Sequence, residues 1–180
     1  MRVQAGYRGV VVLGDPQTGE GVVTSYWESE EAMDRADEAL AAERGRNLAE
    51  QRMEVLAIEG YEVSTMMRSQ PSKVGPNCRL VFGSGATDIP DEVLIPLWEE
   101  ARALVTTLAG FCSLVIGRNR RNGRFIVASS WDTPDDREAS EVATADLRTR
   151  MTEAMRATSV EIANYQPLFA EVPATATAPT

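Results

Sequence analysis

The sequence predicts an α+β protein built from two copies of one strand-and-helix unit. The first observation is a repeat: Gly6 to Trp27, GYRGVVVLGDPQTGEGVVTSYW, returns without a gap as Gly110 to Trp131, GFCSLVIGRNRRNGRFIVASSW, at an offset of 104 residues. The second is its reach, since the same offset aligns Ala39 with Ala143, Arg44 with Arg148, Ile58 with Ile162 and Tyr61 with Tyr165. A repeat of that length marks a duplicated domain, because solenoid repeats are shorter. The third is pattern: in each copy two apolar, β-branched runs flank a turn at Thr18-Gly19 or Asn122-Gly123, residues that tolerate positive φ, and an Ala-rich acidic run follows.

In chain order, Tyr7 to Leu13 and Gly21 to Trp27 form the first hairpin, with Asp15-Pro16 opening its loop. Ser29 is an N-cap, Glu30 and Glu31 place negative charge in the first helical turn, and the helix runs towards Gln51 with Gly45 as its weak point. Val55 to Val63 reads as the third strand. Ser64 to Asn77 loses periodicity and carries Pro71, Gly75 and Pro76, so it reads as a connector. Cys78 to Phe82 is a short strand followed by Gly83-Ser84-Gly85, a loop whose spacing fits no phosphate-binding pattern. From Asp91, residues Leu94, Leu97, Trp98, Ala101, Leu104 and Val105 recur at helical steps, and Pro96 should kink that helix or shift its effective start. Phe111 to Gly117 and Arg124 to Trp131 form the second hairpin. Thr133-Pro134-Asp135-Asp136 opens a helix to about Ala157, and Val160 to Val172 is the last strand.

The second unit thus has the β-α-β-β-α-β order of a ferredoxin-like fold, whereas the first reads β-β-α-β. Its opening strand and helix are missing, with Met1 to Ala5 as the end of that helix. The expected organisation is a first, N-terminally incomplete unit over residues 1–68, a linker at 69–77, a second unit over 78–172 and a disordered tail, PATATAPT, at 173–180. Either the sequence starts late relative to its natural gene product or another chain completes the first unit; the late start is the expectation, since an uncovered sheet face and edge would otherwise result.

Composition narrows the function. The 180 residues carry 43% apolar and 25% charged side chains, as in an ordinary globular protein, and no run is long and apolar enough for a transmembrane helix or a signal peptide core. A cytoplasmic protein without a membrane partner is expected. The net charge of −9 opposes a nucleic-acid partner. Cys78 and Cys112 lie on expected strands, outside metal spacing, and read as buried reduced thiols. There is no histidine. General-base work, zinc ligation and haem ligation therefore lose their commonest residue, and any chemistry must use carboxylates, Tyr, Arg, Cys, a bound organic cofactor or the substrate itself; no metal is expected.

The hairpin ending Trp27-Glu28-Ser29-Glu30-Glu31-Ala32, followed by an acidic Ala-rich helix and a strand near a tyrosine, resembles the antibiotic biosynthesis monooxygenase family of dimeric α+β barrels; Trp131-Asp132-Thr133 resembles it more loosely. The resemblance implies two ferredoxin-like units packed as a barrel with helices outside, both supplied here by one chain, and a pocket between sheet and helices in each. It implies activities from cofactor-independent oxygenation of phenols to haem degradation. The haem-degrading members use an Asn, Trp and His set that this chain cannot complete. Of the Asn, Trp, Tyr and Arg roles in the oxygenases, only the tryptophan carries over, as Trp27 or Trp131.

Period-two geometry puts Phe125, Val127, Ser129 and Trp131 on one strand face, and Val23, Ser25 and Trp27 in the matching stripe. An aromatic beside a hydroxyl is either a pocket wall with a polar anchor or core packing. Trp98 lies either opposite Trp131 or within the core. Tyr165, like Tyr61, holds either a ligand or a strand end, and Asn77 either bonds a substrate oxygen or serves as a turn residue. Arg118, Arg120, Arg121 and Arg124 either recruit an acidic partner or, as expected, form a solvated hairpin tip that blunts edge pairing. The expected ligand set is Trp131, Trp27, Ser129, Ser25, Trp98, Tyr165 and Asn77, binding a small planar phenolic or quinone-type aromatic molecule. The chain, alone or as a homodimer, is then either a cofactor-independent monooxygenase or a non-catalytic binding or assembly module.

Overall fold

Both hairpins of the repeat form, each through a glycine in the left-handed region, Gly19 at φ 75° and Gly123 at φ 72°. The computed structural model describes residues 4–50, 52–70 and 74–172. The elements are β1 (Tyr7–Gly14), β2 (Gly21–Trp27), α1 (Glu30–Glu50), β3 (Glu62–Arg68), β4 (Asn77–Ser84), α2 (Asp91–Thr106), β5 (Phe111–Arg118), β6 (Arg124–Trp131), α3 (Pro134–Ala143), α4 (Ala145–Ala154) and β7 (Ser159–Glu171).

All strand pairs are antiparallel, and the seven strands form one sheet in the order β2-β1-β7-β4-β6-β5-β3. Within it β7-β4-β6-β5 is the fourth, first, third and second strand of a ferredoxin-like unit. The first unit supplies its second, third and fourth strands as β1, β2 and β3. The units are joined by reciprocal exchange: β7 pairs with β1, and β3 with β5, in each case the fourth strand of one unit against the second of the other. This is the arrangement of a dimeric α+β barrel held within one chain.

The offset of the repeat also reproduces the backbone. Gly6 and Gly110 have φ of 82° and 66°, and Arg52 and Arg156 have φ of 54° and 48°. Register shifts fall at Tyr7/Gly9 in β1 and at Phe111/Ser113 in β5. The Glu28 amide donates to Gly6 O at 2.9 Å, and that of Asp132 to Gly110 O at 2.8 Å. Ser29 Oγ accepts from the Ala32 amide, and Thr133 Oγ1 from that of Asp136, so both caps form as their residue types require.

Several boundaries differ from expectation. The third strand covers Glu62–Arg68 rather than Val55 to Val63, because β5 pairs with that later stretch and residues 53–61 have no neighbouring strand. Ser64 to Arg68 is therefore sheet and not connector. The last helix is split at Thr144 (φ −100°, ψ 2°) into α3 and α4. The helix carrying Pro96 continues through it to Thr106. The 173–180 tail, residues 1–3 of the expected helix end and 71–73 of the linker lie outside the described residues.

The sheet carries two cores. Trp98, Ala101 and Val105 of α2 and Leu147 of α4 bury Leu114, Ile116, Phe125 and Trp131 on the helix-facing side. On the opposite face Val11, Leu13, Cys78, Leu80 and Tyr165 cluster. Helix α1 buries only Ala32 and Ala36, so the first unit is far more thinly covered than the second.

Candidate functional site

Because side chains alternate along a strand, Phe125, Val127, Ser129 and Trp131 of β6 all face α2 and α4. They are joined by Arg79 and Val81 of β4 and by Leu114, Ile116 and Arg118 of β5 to line a cavity of about 110 Å3 under the two helices. Trp98 on α2 lines it from above, and Met151 and Met155 close the α4 side.

Trp131 is 1% exposed. Its indole N–H donates to Ser129 Oγ at 3.3 Å, and its ring meets Phe111 edge-on at 5.7 Å and 69°. The first unit repeats this set: Trp27 Nε1 donates to Ser25 Oγ at 2.9 Å and Tyr7 meets the indole at 5.5 Å and 70°. The surroundings then diverge. Val127 lines the cavity, while its counterpart Val23 is 61% exposed and Trp27 is half-buried.

Of the seven expected residues, Trp131, Ser129 and Trp98 come together around the cavity. Trp27 and Ser25 belong to the other unit and do not line it. Tyr165 is a correction: it is buried on the opposite face with Val11, Leu13 and Leu80. In β4, Asn77 stands opposite Trp131 and the next residue, Cys78, stands opposite Tyr165, so the two aromatics leave the sheet in opposite directions. Asn77 is a second correction. Its Nδ2 donates to Asp132 O at 3.1 Å, which fastens a strand end instead of facing the cavity.

Two arginines enter where the sequence pointed to none. Arg79 is 5% exposed; its Nη1 donates to Ser140 Oγ at 3.3 Å, and its Nη2 to Arg137 O at 2.8 Å and Glu141 Oε2 at 3.2 Å. Its buried Nε has no partner. Burial is the main influence on this guanidinium and lowers its pKa, with Glu141 opposing that shift. The signal in the sequence is an arginine set among apolar residues, in phase with Val81 and out of phase with Cys78, Leu80 and Phe82.

Arg118 corrects the solvated-tip reading: it is 5% exposed, donates to Ile89 O at 3.1 Å and lies 3.7 Å from Asp91. The other tip arginines reach acids, three of them in the first unit. Arg120 bonds Glu62 and Asp91, Arg121 pairs with Glu30 and Arg124 with Glu59. Hydrogen bonding to Arg120 holds the Asp91 carboxyl below its ordinary pKa.

Cys78 and Cys112 are buried thiols outside any disulfide, as expected. Burial, with Cys112 as a smaller influence, pushes the Cys78 thiol up to about 12. Among the described residues no group of three or more His, Cys, Asp or Glu is placed to hold a metal ion, and no helix is long and apolar enough to cross a membrane.

Fold and cavity together define a duplicated α+β barrel protein with a small-molecule-sized pocket under the helices of its second unit. The solved structures that it resembles include monooxygenase-like proteins, a heme-degrading enzyme from Listeria monocytogenes and a regulator of staphylococcal pathogenesis. An anthrone oxidase-like protein matches with a TM-score of 0.69 and 19% identity, covering 94% of this chain and 80% of that one. An uncharacterized ferredoxin-fold protein related to antibiotic biosynthesis monooxygenases, from Listeria monocytogenes, matches with a TM-score of 0.52 and 13% identity, covering 91% and 96%. At such identities the likeness is one of fold. By sequence the chain is 30% identical over 130 residues to the uncharacterized protein Rv2557 of Mycobacterium tuberculosis, which covers 72% of this chain. The match spans 58% of that relative's length. No family model matches the sequence.

Proposed function

We propose that the cavity binds a small planar phenolic or quinone-type molecule and that the chain oxygenates it without a resident cofactor. The observation that carries this reading is the pairing of an aromatic wall, Trp98, Phe125 and Trp131, with the buried cationic side chain of Arg79 in the same cavity lining. An apolar pocket with few polar groups orients a flat ligand, and a buried cation in its lining favours an anionic ligand oxygen. A guanidinium beside a phenol favours its ionised form, since an opposite charge within ~4–6 Å lowers an acid's pKa. A phenol acidified in this way can lose its proton to water, so no histidine base is required. A phenolate made electron-rich by further donor substituents can then reduce dioxygen: the para carbon takes one oxygen atom as a quinone carbonyl, and the other leaves as water with the ring and phenolic hydrogens.

Size restricts the ligand. An apolar cavity of about 150 Å3 admits benzene, so about 110 Å3 fits one ring at most until α2 and α4 separate. Single-ring phenols are therefore expected to bind ahead of two- and three-ring ones.

The test is titration with a one-, two- and three-ring phenol series, read by the fluorescence of Trp98 and Trp131, alongside dioxygen uptake. Arg79→Met should weaken phenol binding by about tenfold, roughly 1.4 kcal/mol, and leave toluene binding unchanged. Equal loss for both ligands would refute the anchoring role of Arg79. A second reading, binding without turnover, is favoured by the engagement of Arg79 Nη1 and Nη2 and of Arg118 with protein partners. Saturable binding with no dioxygen uptake would select it.

A further inference from the structure

We propose that Arg148 selects ligands that carry a carboxylate, which narrows the substrate class to single-ring hydroxy-aromatic acids; this rests on the reading of the cavity as a phenol site. The chain has a net charge of −9, yet the cavity lining holds Arg79, Arg118 and Arg148 and no aspartate or glutamate. A cleft lined by one sign of charge concentrates ligands of the other. Two of the three guanidiniums are already occupied. Arg79 bonds Ser140 Oγ, Arg137 O and Glu141, and Arg118 bonds Ile89 O and lies near Asp91. Arg148 differs: among the described residues the one acid near its guanidinium is Glu141, at 4.0 Å, beyond hydrogen-bond distance.

The repeat supplies the physical reason. At its offset, Arg148 and Glu141 correspond to Arg44 and Asp37 of α1. In the first unit that pair closes, with Arg44 Nη1 donating to Asp37 Oδ1 at 2.5 Å. In the second, Arg79 takes the matching acid from β4 at 3.2 Å, and Arg148 stands off. The charges that act on Arg79 are those of Glu141 and Glu138 against Arg137 and Arg148. With Arg79 itself the group holds three guanidiniums and two carboxylates, one positive charge in excess. A single carboxylate from a ligand balances it.

The position of Arg148 fits that role. On the lining face of α4, Leu147 and Met155 are buried, whereas Arg148 and Thr152, one helical turn apart, are half-buried, as is Thr144 at the start of the helix. The Arg148 side chain is 30% exposed, so it borders both the cavity and solvent. A cavity of about 110 Å3 holds the ring alone, which leaves a carboxylate on that ring at the rim. The neighbouring hydroxyls cannot replace the guanidinium. Thr144 Oγ1 donates to Ser140 O and Thr152 Oγ1 to Thr149 O, and each hydroxyl has only one hydrogen to give.

The probes are 4-hydroxybenzoate, its uncharged methyl ester and phenol, titrated into the full chain by isothermal calorimetry. The acid should bind about tenfold more tightly than the ester, with a preference that shrinks as salt screens the rim. Arg148→Met should bring the acid-to-ester ratio to about one, and Arg148→Lys should keep most of it; the ratio is taken within each variant, so a general loss of fold cancels. Equal binding of acid and ester, or a ratio untouched by Arg148→Met, with phenol still bound to the unmodified chain, would overturn the carboxylate selection and leave the phenol site standing. Failure of phenol, ester and acid alike to bind would overturn the phenol site and the selection with it. Tighter binding of phenyl phosphate than of the acid would overturn the selection in favour of a phosphate.

Discussion

Replacing each repeat tryptophan with alanine measures how unequal the two halves have become. Trp131 is 1% exposed, packs edge-on against Phe111 and bonds Ser129. Truncating a buried tryptophan costs about 3–5 kcal/mol, and more when the surroundings cannot collapse. The hole left by Trp131→Ala merges with a cavity of about 110 Å3 already present, so little collapse is available. The upper end, about 4–5 kcal/mol, is expected, which at ~2–4 °C per kcal/mol for a chain of this size lowers Tm by roughly 8–20 °C. Trp27 makes the same contacts, with Tyr7 and Ser25, but is half-buried beside exposed Val23. Its truncation should cost about 1–2 kcal/mol, since part of its surface already meets water. Thermal melts by circular dichroism and urea midpoints at constant m-value compare the two variants. Equal losses would refute the view that the first unit is open above its indole.

The turn glycines give a second pair. Gly19 and Gly123 share a left-handed φ, but a Cβ at Gly19 meets nothing within 4 Å, whereas one at Gly123 would lie 2.1 Å from the Gly85 carbonyl oxygen. Gly19→Ala should cost only the conformational ~1–2 kcal/mol, and Gly123→Ala clearly more, by urea unfolding. The third prediction concerns alkali. The Cys78 thiol is raised from 9.0 to about 12 in the fold, so the folded state prefers its neutral form; its stabilisation is intact below pH 9 and is lost as pH rises towards 12. Cys78→Ala should flatten the fall in stability between pH 9 and 11, and an unchanged slope would refute the assignment. Tyr61, raised from 10.0 to about 12 chiefly by burial and by its hydrogen bond to Glu59, acts in the same direction above pH 10, and Tyr61→Phe separates the two.

The hairpins, the caps at Ser29 and Thr133 and the amphipathic face of α2 were legible because each depends on neighbours close in sequence. The third strand was misplaced for the opposite reason. Val55 to Val63 has the composition of a strand, but strand conformation needs a partner, and the available partner pairs further along, at Glu62–Arg68. The cavity was half legible: Trp131, Ser129 and Trp98 follow from periodicity, while Tyr165 required knowing that β4 sets it across from Cys78. Arg79 was passed over and Arg118 read as a solvated tip because burial of a guanidinium depends on acceptors such as Arg137 O and Ile89 O, supplied by chain remote in sequence.

Strand β7 binds β4 with its first half and β1 with its second, while β3 returns the exchange through β5. Neither half of the duplication can melt without stripping a ladder from its twin. The chain should therefore unfold in a single cooperative transition, and severing it at the connector should yield fragments that recover structure only when recombined.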